Sequence, residues 1–118
     1  MKYDNRIVVK WFAEHGILAV PEYQFHPDRK WRFDFALLPI KWGGFTQNIS
    51  DVPEFKLALE VQGGLFTGGR HSRGPALLKE HEKLNTAACD GWRILYTIPQ
   101  NLCMSETVEM VKGAINAN

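Results

Sequence analysis

Two acidic residues, Asp34 and Glu60, sit inside strongly apolar runs, RFDFALL and LALEV. If both runs are strands, each acid lies on the face opposite its apolar stripe. Alternation also places Glu60 and Gln62 on one face, about 7 Å apart along the chain. Pairing of the two strands would bring Asp34 toward them. Carboxylates brought within about 4–6 Å repel unless they share a proton or a cation. Such hard oxygen ligands suit Mg²⁺ (or Mn²⁺), which keeps several waters and needs only one or two protein carboxylates. The backbone carbonyl of Val61 is a third candidate ligand. Beside a phosphodiester, such a metal neutralises charge in the transition state and lowers the pKa of a bound water. Gln62 can hydrogen bond to water or phosphate but carries no positive charge. The bland alternative is that the two acids are half-exposed polar alternates, solvated or paired with Arg32 or Lys56.

These side chains need a sheet to hold them. Residues 4–15 read as a helix, with Ile7, Val8, Trp11 and Phe12 on one face, Asp4 or Asn5 as cap and Gly16 as stop. From Pro21 the run EYQF reads as a short strand, closed by the His26-Pro27-Asp28 turn. Trp31–Leu38 reads as a second strand, with Trp31, Phe33, Phe35 and Leu37 on one face and Arg32, Asp34 and Ala36 on the other. Residues 39–54 read as a loop and Phe55–Gln62 as a third strand. Pro75–Asp90 is the strongest helix, with Leu77, Leu78, His81, Leu84, Asn85 and Ala88 as its stripe, and Gly91 ends it. Trp92–Ile98 is a fourth strand and 104–116 a last amphipathic helix. This αβββαβ order, closed by that last helix, predicts one α/β domain: a mixed four-stranded sheet flanked by helices, its βαβ unit parallel.

The length of 118 residues suits a single domain over 1–118 with a proper core. The 45% hydrophobic and 23% charged fractions are those of a soluble globular protein. No apolar run reaches the ~20 residues of a membrane span, and MKYDNRIVVKWFAEHG lacks a secretory pattern. Two cysteines, Cys89 and Cys103, suggest reduced thiols and a cytoplasmic setting. The net charge of +1 exerts no global pull on nucleic acid, but residues 24–42 and 65–83 are mildly basic and bracket an acidic stretch, 43–64.

The series RKWRFDF, LALEVQGG, GRHSRG and KEHEKLNTAACDGWRIL resembles the PD-(D/E)XK nuclease superfamily, and more narrowly small phage and prophage nucleases like Holliday-junction resolvases and very-short-patch-repair enzymes. The likeness runs from about Glu22 to Pro99. It implies a restriction-endonuclease-like core, a divalent metal between Asp34 and Glu60, and hydrolysis of phosphodiesters in branched, nicked or distorted duplex DNA, in repair or recombination, inside a cell or a phage-infected host. A homodimer is the default it implies. Gln62 falls where the family has a lysine. That departure leaves open a module that binds nucleic acid without turnover, or a cation brought in from elsewhere. Lys79 and Lys83 are the obvious donors, but the helical wheel sets them opposite the apolar stripe, favouring phosphate contact over catalysis. Arg70, His71 and Arg73, in the glycine-rich run, are expected to contact phosphate.

Other candidates weigh less. The glycines of GGLFTGGRHSRG match neither a Walker A nor a dinucleotide fingerprint and are read as a hinge. His26, His71, His81, Cys89 and Cys103 show no zinc spacing. Trp11, Trp31, Trp42 and Trp92 read mainly as core anchors, and Trp42, beside Gly43-Gly44, is the one with an alternative reading as a wedge against a base or a partner. Glu22 and Glu14 are read as surface residues.

Overall fold

The computed structural model describes residues 3–40, 51–63 and 74–117. The first helix, α1 (Asn5–Glu14), is capped by Asp4, whose side chain accepts from the Arg6 N–H at 2.9 Å. Val8 and Phe12, one turn apart, are its buried residues.

Strand β1 (Ile17–Gln24) begins four residues before Pro21. Ile17 and Ala19 alternate into the core, and Pro21 is tolerated because among the described residues β1 is an edge strand with no ladder on its outer side. It pairs antiparallel with β2 (Arg32–Pro39). After residues 41–50 a single helical turn, α2 (Val52–Phe55), occupies the end of the segment expected to be a loop. Lys56 closes that turn in the left-handed region, φ 56°, so β3 (Leu57–Val61) starts two residues later than expected. Then come α3 (Pro75–Cys89), β4 (Arg93–Thr97), a 3-10 turn at Pro99–Asn101 and α4 (Ser105–Asn116).

The sheet order is β1-β2-β3-β4. The β2–β3 pair is antiparallel and β3–β4 parallel, as a helical crossover requires. The domain is therefore α/β with a mixed four-stranded sheet. Each face carries its own core. Val8, Phe12, Phe35, Leu37, Leu59 and Val108 belong to the face covered by α1 and α4. Phe33, Ala36, Leu38, Ala58, Ala87 and Trp92 belong to the face covered by α3. Because β2 and β3 are central and buried on both sides, both of their faces are largely apolar. Ala36, Leu38 and Ala58 are fully or almost fully buried.

Phe33 and Phe35, two residues apart, belong to opposite cores. The alternation thus slips between them, at Asp34. In the β1–β2 register, Pro21 faces Phe35 and Tyr23 faces Phe33, and the pairing steps over Glu22 and Asp34. Glu22 has φ 53°, a conformation that costs a non-glycine residue roughly 1 kcal/mol or more. Local distortion of this kind is what re-aims a side chain out of a regular ladder.

No helix among the described residues is long and apolar enough to cross a membrane.

Candidate active site

The β2–β3 ladder runs through Phe35–Leu59, Ala36–Ala58 and Leu37–Leu57 and goes no further toward Asp34. There, carboxylates take over as backbone partners. The Asp34 N–H donates to Glu60 Oε2 at 2.9 Å, and the Val61 N–H donates to Asp34 Oδ2 at 2.7 Å. Each acid accepts from the other's strand. The two carboxyl groups are thereby tied to one seam by charge-assisted hydrogen bonds.

Glu60 is only 4% exposed. Its second oxygen, Oε1, receives the Lys83 ammonium at 2.7 Å. The lysine is nearly as buried as its partner, and its Nζ lies 5.6 Å from the centre of the Phe33 ring. Burial pushes the Glu60 carboxyl above the usual carboxylate range. The Lys83 contact and the Asp34 N–H oppose that rise, while the Asp34 charge adds to it.

Lys83 corrects the helical-wheel expectation, which turned it away from the sheet. On α3 Ala87 is buried, and Glu80, Lys83 and Leu84 are half-buried. Leu78 is 67% exposed, and Leu77, His81 and Ala88 are exposed as well. Compared with the expected stripe, α3 is rotated by about one residue step, roughly 100°. Glu80, Lys83, Leu84 and Ala87 also follow an i, i+3, i+4, i+7 pattern. The apolar stem of lysine lets it share a buried face while its ammonium reaches an acid. The leucines on the neighbouring face mask that pattern in the sequence.

The pairings offered as the bland alternative do not form. Arg32 is exposed, and Lys56 Nζ donates to the Asp90 carbonyl. Lys79 is exposed. Arg70, His71, Arg73 and Trp42 lie outside the described residues. Glu22 is exposed, but it shares an environment with the acids. The Tyr3 phenol is pushed up to about 12, first by burial and then by the charges of Asp34, Glu22 and Glu60. Gln62 is half-buried and lines a groove on the β4 side of Glu60.

In chemistry the donor set suits a hard dication, since carboxylate oxygens are the ligands it takes. Two carboxylates from adjacent strands converge, a cationic group already rests on one of them, and the Val61 residue bridges to the other. Among the described residues no group of three or more His, Cys, Asp or Glu side chains converges. A dication here would therefore rely on Asp34, Glu60, the Val61 carbonyl and water. His81, Cys89 and Cys103 are exposed and scattered.

No family model, curated protein or solved structure matches the chain.

Proposed function

We propose that the protein is a Mg²⁺- or Mn²⁺-dependent endodeoxyribonuclease with a restriction-endonuclease-like core, acting on branched, nicked or distorted duplex DNA. The observation that carries this reading is the Lys83–Glu60–Asp34 constellation: two carboxylates cross-bonded at a strand seam, with an ammonium at 2.7 Å.

Asp34, Glu60 and the Val61 carbonyl would hold the metal, which supplies an activated water and charge neutralisation at the phosphorus. Lys83 supplies from α3 the positive charge that Gln62 cannot supply from β3. An ammonium beside the acids offsets negative charge developing on the phosphate oxygens, in a site where burial strengthens the interaction. The binding-only reading drew its support from the missing lysine. With Lys83 on Glu60, turnover is the better supported of the two.

The test is cleavage of a labelled four-way junction, a nicked duplex and a linear duplex, with Mg²⁺, with Mn²⁺ and in EDTA. Metal-dependent cutting by the wild type that disappears in Lys83→Met and in Asp34→Ala is the expected result. Salt-sensitive binding without any cut would favour the binding module. No affinity for any DNA would exclude both.

A further inference from the structure

Beside the acid seam lies a groove of about 400 Å³, lined by Gln62, Tyr96, Ile98, Asn101, Glu106 and Met110 among others. That volume is at the small end of ligand pockets. The groove is placed by the sheet itself. Tyr96 is the β4 partner of Glu60 in the parallel ladder, and Thr97 the partner of Val61. Its floor therefore starts one strand spacing, about 4.8 Å, from the acid. Its far wall is the 3-10 turn and the first two turns of α4. Gly63 lets the chain leave β3 against this wall, since a Cβ there would meet Pro99 Cγ at 3.2 Å.

The lining chemistry is selective. Among the described residues that line it none is Lys, Arg or His, and Glu106 contributes a carboxylate, which disfavours a phosphate at that wall. Tyr96, 46% exposed, is one of the lining residues, with Ile98 and Met110 as further apolar surface. The side chains of Gln62, Asn101 and Glu106 have no hydrogen-bond partner among the described residues. Two amides and a carboxylate together offer both donors and acceptors. A flat aromatic group with a hydrogen-bonding edge satisfies every one of these features.

We propose that this groove receives an unpaired nucleobase next to the phosphate being cut, stacked on Tyr96 and read by Gln62, Asn101 and Glu106. The inference rests on the nuclease reading and adds to it the source of selectivity. Distorted DNA is preferred because its base is already out of the stack, which removes the unpairing cost.

The test compares binding to a duplex with a single bulged base and to the same duplex fully paired, in EDTA. The wild type is expected to favour the bulged DNA. Tyr96→Ala should lose affinity for it by roughly five- to hundred-fold, the usual loss for one stacked base, while affinity for paired DNA changes less than twofold. Tyr96→Phe should restore the preference, and Asn101→Ala should change which bulged base is bound best. Tyr96 is exposed enough that its substitution should not unfold the chain, and a melting curve checks this. Equal affinity of the wild type for both DNAs overturns the proposal and leaves the nuclease reading standing. So does an equal loss on both DNAs in Tyr96→Ala. Absence of all DNA binding removes the nuclease reading and this inference together.

Discussion

The two ends of the β2–β3 pair are built on different principles. At Phe35–Leu37 against Leu57–Leu59, backbone bonds to backbone, and every side chain is buried and apolar. One residue further, at Asp34 and Glu60, side-chain carboxylates accept the backbone N–H groups, and an ammonium joins them. The apolar end contributes stability through packing. The acidic end concentrates negative charge where desolvation makes it costly, and has one lysine to offset it. The regular end fixes where the strands lie, and the irregular end uses that fixed position to hold groups that repel one another. The same sheet thus separates apolar packing from a charged cluster over about 7 Å.

The comparison is broken most sharply at its acidic end. Asp34→Asn keeps an acceptor for the Val61 N–H, so stability should change by less than about 1 kcal/mol. Metal-dependent cleavage should fall roughly a thousand-fold, equivalent to the several kcal/mol that a dication contributes. Single-turnover rates at saturating Mg²⁺ measure it. At the apolar end the outcome should invert. Phe35→Ala should cost about 3–5 kcal/mol in urea unfolding, with the surviving folded fraction still able to cut.

Lys83→Met joins the two effects. It should lower stability by about 3 kcal/mol at neutral pH, because Glu60 is left buried without its ammonium partner. The sign with pH follows from the raised Glu60 pKa. A carboxyl that binds its proton more tightly when folded favours the folded state at low pH, and that contribution is lost as pH rises from the unperturbed value near 4.5 through the folded pKa. Removing Lys83 raises the folded pKa further. The deficit of the variant should therefore shrink on acidification, and unfolding curves at a series of pH values read it directly. Unfolding that loses the same stability at every pH would show that Lys83 acts through packing alone.

The smallest expected effect sharpens the electrostatics. Tyr3, titrating at about 12, senses Asp34. Its phenolate absorbance should appear at slightly lower pH in Asp34→Asn and stay unchanged in the control Lys79→Ala.

Much of this molecule was readable before folding. Asp4 before an apolar-periodic run and Gly91 after one marked two helix ends, because capping and left-handed conformations depend on the residue present rather than on its surroundings. The strand order followed from pattern, and Asp34 and Glu60 stood out as acids in apolar runs. The start of β1 was harder to see, since Pro21 speaks against a strand except at a sheet edge, and edges exist only in the assembled sheet.

The local code thus determined which segments are helix or strand and which acids are out of place, since those follow from neighbours along the chain. The tertiary structure decided which way α3 faces, and with it whether Lys83 meets solvent or Glu60. A helix carrying leucines on one side and a lysine, a leucine and an alanine on another has two plausible inner faces. Only the shape of the sheet beneath it, with Phe33 and Trp92 filling one position and a buried carboxylate waiting at the next, selects between them.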